Sequence, residues 1–460
     1  MNDSPLTTYI TDIADFVCGY PLFLLLIGGG LFLFIHSGMI SLRRLPEALF
    51  ALKSSRKADD GSAGISSAKA LVSVVAATVG MGNIAGVTIA IAMGGPGAVF
   101  WMWVSALVGM STKYHEGVLA VKYRSFDSSG QPHGGPMHII RHALSRRWQP
   151  MARMFAIAGM FGTLCIMNAN QLTEALTSTA SQLTPIENMT MAKLITGVTI
   201  ALLVAMVTLG GIKRIANVAS VLVPFMVGAY FLMVLYIIAT HLGGLPTAVQ
   251  SIFSNAFSLE AGWGALAGTA IIGARRAALV NDAGVGTASI MHGTSASKEP
   301  VKEGLVAMLG PAIDSGFVCT LTAMAILLCG NLDDASGRGL DIALVAFDNG
   351  IPGGRYLLTA IVACFAISSM FSYSFYGRRC AEFMFGQQAK KPYLLLFILS
   401  LVLFAVVPLQ AAVGLCDMFY ALMAFPTMIM LVRLRNDVRA ESRRYFNNIK
   451  ESEIITTQQI

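Results

Sequence analysis

Charge is what this sequence has least of. Of its 460 residues only 12% are Asp, Glu, Lys or Arg, while 55% are hydrophobic. A soluble domain carries about 25% charged residues, because its surface must be covered with polar groups. The shortfall excludes a soluble enzyme, a nucleic-acid binder and a disordered chain, and it makes the chain an integral membrane protein. Clustered cysteine is also missing: Cys18, Cys165, Cys319, Cys329, Cys364, Cys380 and Cys416 show no CxxC or CxxH spacing. They read as buried apolar thiols, not as metal ligands or a disulfide framework. Residues 1–20 hold Asp3, Asp12 and Asp15 but no Lys or Arg, so the basic start of a cleavable signal peptide is absent and the first apolar stretch is expected to remain. No Walker loop, HExxH, Ser-His-Asp arrangement or catalytic acid pair occurs, which argues against an ATP-driven pump and against an enzyme. No cofactor is expected.

What the chain has in abundance is long apolar runs. A spanning helix needs about 20 mostly apolar residues. Such stretches lie near 21–40, 66–93, 97–122, 151–181, 191–210, 215–240, 261–290, 301–330, 355–385, 391–410 and 411–434. The fold expected is all-α, with eleven transmembrane helices. With the N-terminus outside, the inward connections hold 26 of the 32 Lys and Arg residues, and the outward ones only Lys193, Arg338 and Arg355. Basic residues stay on the cytoplasmic side, so the expected topology is N-terminus out and C-terminus in, in a plasma membrane such as the bacterial inner membrane. The lipid bilayer is a partner by construction, and the chain is read as a monomer. Between the sixth and seventh spans, Pro246 precedes Val249, Ile252, Phe253, Ala256 and Phe257 at amphipathic spacing, which predicts an outer helix acting as a lid or a packing strut.

Two spans make poor continuous helices. Thr78-Val79-Gly80-Met81-Gly82-Asn83-Ile84-Ala85-Gly86 places three glycines and an amide at mid-depth, and Val280-Asn281-Asp282-Ala283-Gly284-Val285-Gly286-Thr287 repeats the theme with an acid. Each glycine costs a helix about 1 kcal/mol relative to alanine. Irregular backbone at that depth survives only where protein buries it or a cavity needs it. The Gly-x-Gly cores lie 204 residues apart in spans of opposite direction, which is the trace of an inverted repeat and points to a transporter's binding site. The segments expected are 1–65 (tail, first helix and inner loop), 66–240 (first repeat of five helices), 241–260 (outer amphipathic loop), 261–434 (second repeat) and 435–460 (cytoplasmic tail).

The same residues carry a family likeness. Segment 76–101, with Gly109-Met110…Lys113-Tyr114…Glu116, Gly134-Gly135-Pro136-Met137, Gly211-Ile212-Lys213-Arg214-Ile215-Ala216, Asn281-Asp282-Ala283-Gly284-Val285-Gly286 and Ser374-Phe375-Tyr376-Gly377, resembles the alanine or glycine:cation symporter family over about residues 20–435. That resemblance implies a leucine-transporter-like five-plus-five inverted repeat behind one extra N-terminal helix. It also implies sodium-driven import of small neutral amino acids, alanine and glycine, by alternating access. The chain departs from the family at Val280 and Asp282, where Ser and Glu are usual, at Ile272 and Tyr373, where Trp is common, and at Thr173, where Asn is usual. Those changes bear on substrate: a proton-coupled carrier, or one for serine or glutamine, is the alternative. A channel would build its pore from like filter loops, which two unlike inverted breaks do not provide.

A half-helix beginning at Asn83 turns its positive end toward the cavity and suits an amino-acid carboxylate. The substrate site expected is therefore Thr78, Gly80, Gly82 and Asn83, with Gln171, Ile272, Gly273, Ser369 and Tyr373 as walls. By fold analogy, sodium belongs at the carbonyls of Ala76 and Val79 and the hydroxyls of Ser368 and Ser369. Asp282 either holds a cation or pairs with Arg275 or Arg276, and the short separation in sequence favours the pairing. Lys113 and Glu116, at i,i+3, read as an inner ion pair, and His115 between them as exposed. Glu174, Asp314 and Asp417 are not distinguished by sequence. No nucleic acid or ATP is expected as a partner.

Overall fold

A computed structural model describes residues 20–55, 64–127, 130–257, 263–330 and 339–458. Among the described residues the chain is helical nearly throughout, and one short hairpin, Ser125–Phe126 with Pro132–His133, is the sole sheet. In chain order the helices are α1 (20–36), α2 (Leu45–Ser55), α3 (Ser67–Thr78), α4 (82–94) and α5 (Ala98–Lys122). There follow α6 (Pro136–Ala143), α7 (Gln149–Gly162), α8 (Ile166–Leu183), α9 (Met189–Thr208), α10 (Gly211–Thr240) and α11 (Leu245–Ala256). The second half holds α12 (Trp263–Asn281), α13 (Thr287–His292), α14 (Pro300–Cys329), α15 (Gly339–Gly350), α16 (Gly354–Phe385), α17 (Lys390–Val406), α18 (Leu409–Arg433) and α19 (Arg435–Gln458).

By length and hydropathy, seven described helices or helix pairs can cross a membrane, and the bent pair α3–α4 makes eight. α9, α10 and α17 turn large apolar side chains such as Leu202, Phe225 and Leu399 outward. In water that would be a liability; in hydrocarbon it is the expected lipid-facing surface. α5 differs, since it buries Lys113, His115 and Glu116. His115 is therefore not exposed as its position suggested: its Nδ1 lies 2.7 Å from the Ser111 carbonyl, one turn back.

The amphipathic segment forms α11, which packs on the start of α5. Trp101 Nε1 donates to the Ala256 carbonyl at 3.2 Å, and the Phe100 ring meets Phe253 and Phe257 edge-on. Gly97 lies so close to Asn255–Ala256 that a Cβ there would stand 2.5 Å from backbone. Only glycine permits that approach.

Three breaks meet near the middle of the bundle. α3 and α4 are set at 58°, with Val79 extended and a π-turn over Gly82–Gly86. α12 ends at Asn281, and the chain then passes through left-handed Asp282, Gly284 and Gly286 before α13. The third break parts α7 from α8 at Thr163–Cys165, where Cys165 is left-handed. That one had no clear mark in the sequence: Gly159 and Gly162 precede it, but helix-packing glycines look the same.

Candidate substrate and ion site

The first break is closed by its own side chain. Asn83 Oδ1 accepts the Gly80 N–H at 2.9 Å, and the Gly80 carbonyl accepts the Asn83 N–H at 3.1 Å. This reciprocal pair satisfies groups that the interrupted helix leaves without partners. The Asn83 amide nitrogen donates to the Asp314 carboxylate on α14 and to Cys319 Sγ at 3.5 Å. Asn83 is fully buried and all its polar atoms are engaged. It shapes the break and does not face the cavity, contrary to the direct donor role expected of it.

The second break is closed by a neighbour. Glu116 Oε1, from α5, accepts the Gly284 N–H at 2.7 Å. Asn281 Oδ1 accepts the Ala283 N–H at 2.9 Å, while its amide nitrogen donates to Ser315 Oγ at 3.2 Å. The Asp282 carboxylate accepts from Tyr373 at 2.7 Å and from Thr287 at 3.2 Å, and Tyr420 donates to the Tyr373 hydroxyl at 2.7 Å. The expected pairing of Asp282 with Arg275 or Arg276 is thus replaced by hydroxyl donors, because the left-handed turn at Asp282 carries it off the helix that bears the arginines. Among the described residues Lys113 and Glu116 form no ion pair. Glu116 is drawn to the Gly284 N–H, and Lys113 Nζ is buried without a hydrogen-bond partner, within electrostatic reach of Glu116 and Asp282.

Between the breaks lies a cavity of about 140 Å³, the size class that in a protein interior holds a small organic molecule. Of the residues expected at the site, Thr78, Gly80, Gly82, Gln171, Ser369 and Tyr373 line it. Asn83, Ile272 and Gly273 do not. A Cβ on Gly273 would stand 2.3 Å from the Ala98 carbonyl, and Ile272 packs against Gly94, so that pair serves close helix contact on the α4–α5 side. Residues that sequence reasoning left out of the site also line the cavity: Val280 and Asp282 beside the second break, Cys165 and Asn168 after the third, and Arg276, Asp417 and Tyr420. Arg276 and Asp417, both on its walls, lie within electrostatic reach of each other. Asp282 sits in a motif that marked it; nothing local marks Asp417 or Tyr420.

Two groups in the cavity region are chemically suggestive. The Gln171 side-chain oxygen is buried and accepts no hydrogen bond; a buried acceptor without a donor costs about 1–3 kcal/mol, and an ammonium group would relieve it. The hydroxyls of Ser368 and Ser369 lie 3.2 and 3.1 Å from the Ala76 carbonyl, and each has a second acceptor in Phe365 O at 2.9 and 3.0 Å. When the hydroxyl protons turn to Phe365, the hydroxyl lone pairs and the Ala76 carbonyl are left as an all-oxygen set, which suits a hard monovalent cation. Val79 sits at the extended residue ending α3, its N–H held by the Val75 carbonyl at 2.8 Å. Among the described residues no group of three or more His, Cys, Asp or Glu could hold a metal ion.

Comparison with known proteins agrees with this architecture. The profile of the sodium:alanine symporter family matches residues 3–459. The sodium/alanine symporter AgcS of Methanococcus maripaludis is 37% identical over 453 residues, covering 96% of this chain and 98% of its own. The putative sodium/proton-dependent alanine carrier protein YrbD of Bacillus subtilis is 34% identical over 384 residues, 78% of this chain and 77% of its own. Among solved structures, MhsT in complex with L-phenylalanine superposes with a TM-score of 0.62, covering 82% of this chain and 91% of that one at 14% identity. At that identity the likeness speaks for the fold alone.

Proposed function

This chain belongs to the sodium:alanine symporter family, and on that premise we propose that it is a sodium-coupled symporter importing small neutral amino acids, alanine first and glycine with it. It is a transporter and not an enzyme. The proposed topology has eleven spans: α1 as the extra helix, five spans over 66–240 and five over 261–434, the N-terminus outside and the C-terminus inside. Support comes from the count of basic residues on the two sides and from the paired breaks.

In this reading the amino-acid carboxylate meets the start of α4 at Gly80–Gly82, where bare backbone and the positive helix end receive an anion. The ammonium group donates to Gln171. Sodium lies between the Ala76 and Val79 carbonyls and the Ser368 and Ser369 hydroxyls. The observation that carries the assignment is the convergence of Gly80 and Gly82 from the α3–α4 break, Gln171 from α8, and Ser369 and Tyr373 from α16 on one small cavity between two helix breaks.

Tyr373 and Val280 set the size limit, and an apolar wall discriminates by only ~1–3 kcal/mol per methylene. Serine is therefore expected to compete measurably with alanine. Lysine and glutamate are expected to fail, because Arg276 and Asp417 lie within electrostatic reach of each other and Asp282 within reach of Lys113, so each wall charge already has an opposite charge near it.

The test uses vesicles carrying the reconstituted chain. Labelled alanine should accumulate under an inward sodium gradient and undergo counterflow against internal alanine, which a channel does not show. Replacing sodium by choline while keeping a proton gradient should abolish accumulation. Undiminished uptake in choline would transfer the coupling to protons.

A further inference from the structure

A second cavity, remote from the one just described, lies where the end of α1 meets α19. It measures about 370 Å³. Its walls carry Arg43, Arg44, Arg439 and Arg443 together with His36, and among the described residues no carboxylate lines it. α1 ends in two consecutive left-handed residues, Gly38 and Met39, which fold the chain back so that the Arg43 guanidinium comes to lie over Gly38, 3.4 Å from where a Cβ would be. Arg44 is braced by Glu47 at 2.5 Å and lies 4.1 Å from the centre of the Phe446 ring.

α19 sorts its charges by face. Asp437 accepts from Tyr123 at 3.0 Å, and Glu441 pairs with Lys122 at 3.1 Å, so both acids turn toward the end of α5. Arg435, Arg439 and Arg443 follow one another at i,i+4 on the face toward α1, with Arg435 set 5.5 Å from the centre of the Phe32 ring. Like charges at that spacing repel and weaken a helix. Arg439 and Arg443 face Arg43 across the hollow, with Arg44 beside it already paired to Glu47, and that arrangement calls for an anion.

The rim shows which anion. Ile35, on its wall, is 61% exposed, and Met39, next to Gly38, 47%, so the cationic hollow opens beside bare apolar side chains. An inorganic ion would use the arginines alone, whereas a phospholipid uses both surfaces, its phosphate in the hollow and its acyl chains against those side chains. Clusters of basic residues between helices on the cytoplasmic side are suited to such headgroups. We propose that the hollow between the α1 terminus and α19 binds the phosphate headgroup of an anionic membrane phospholipid, fastening the C-terminal helix to the inner leaflet. The proposal rests on the membrane-spanning reading and not on the identity of the transported solute.

Dioleoylphosphatidylglycerol titrated into the detergent-purified chain, with retained lipid counted by native mass spectrometry, tests it. Wild type should retain the lipid and not dioleoylphosphatidylcholine. R439Q/R443Q should bind about thirtyfold more weakly and R43Q, on the opposite wall, about fivefold, while K390Q/K391Q, which removes the same charge elsewhere, should bind as wild type does. R43Q keeps the test open should the double variant fail to fold. Equal retention by R43Q and wild type, or displacement of the lipid by an equal concentration of inorganic phosphate, would overturn the proposal; the latter would mark a free-anion site. Alanine counterflow read on the same preparations keeps this outcome separate from that of the transport assignment.

Discussion

The two helix breaks solve one problem by different means. At residues 79–86 the exposed backbone is served from within: Asn83 takes the Gly80 N–H on its own side chain and then fastens to Asp314. At residues 282–286 the service comes from outside, since the Gly284 N–H is held by Glu116 from α5 and the Asp282 side chain by Tyr373 from α16. The first break is thus anchored by an amide that takes the backbone N–H on its oxygen and donates to a carboxylate from its nitrogen. The second is anchored by two carboxylates with the unbonded ammonium of Lys113 near them. A break that carries its own partner keeps its shape while surrounding helices shift. A break that borrows its partners is tied to where those helices stand. On the proposed carrier reading, the first break is expected to serve as the substrate platform and the second to follow α5 and α16.

The comparison can be broken at several points. The largest effect should come from Gly82→Val. A Cβ at Gly82 already stands 3.2 Å from Val280 Cγ2, so a branched side chain there wedges the two breaks apart and fills the cavity. Alanine uptake should fall by more than a hundredfold, with the protein still inserted and of normal size-exclusion profile; wild-type uptake by this variant is incompatible with the proposed platform.

Next in size, Asn83→Ala strands the Gly80 N–H and leaves the Asp314 carboxylate without its donor, at about 1–3 kcal/mol for each buried group. It should lower Tm by several degrees and uptake by ten- to a hundredfold. Glu116→Gln keeps an acceptor for Gly284 and should cost less than tenfold, whereas Glu116→Ala should approach the Asn83 variant. Should Glu116→Gln prove as damaging as Glu116→Ala, the charge and not the hydrogen bond closes the second break. The smallest effect belongs to Tyr373→Phe. It removes one hydroxyl, and with it two bonds, from the Tyr420–Tyr373–Asp282 chain, worth about 1 kcal/mol per bond, and should raise KM for alanine three- to tenfold with a smaller fall in Tm than Asn83→Ala.

Much of this was legible along the chain because breaking a membrane helix takes unusual residues. Gly80, Gly82, Gly284 and Gly286 announce two breaks, and the cavity does lie between them. Ser369 and Tyr373, four apart, share the face of α16 that lines it. What the sequence hides is direction. Asn83 stands beside Gly82, yet its amide turns to Asp314, 231 residues on, and no local pattern encodes that. Ile272 was placed in the wall by position, but the neighbouring Gly273 is pressed against the Ala98 carbonyl and the pair belongs to helix packing. Asp282 read as a cation ligand or as the partner of a nearby arginine, and its left-handed backbone turns it to Tyr373 instead. The third break, at Cys165, went unmarked because a non-glycine residue takes the left-handed conformation there, held by tertiary packing and not by residue type.

The central claim is that alanine binds in the cavity between the breaks, with its ammonium group on Gln171. The most direct test is the thermal stabilisation of the purified chain by alanine in sodium. A ligand at a hundred times its Kd raises stability by about 2.7 kcal/mol, a shift of several degrees that is easily resolved. Wild type should show it in sodium and lose it in choline. Gln171→Ala and Gly82→Val should lose it in both, with the unliganded Tm of Gln171→Ala close to that of wild type. If Gln171→Ala and Gly82→Val both retained the full alanine-dependent shift, the amino acid would be bound somewhere other than between the two breaks.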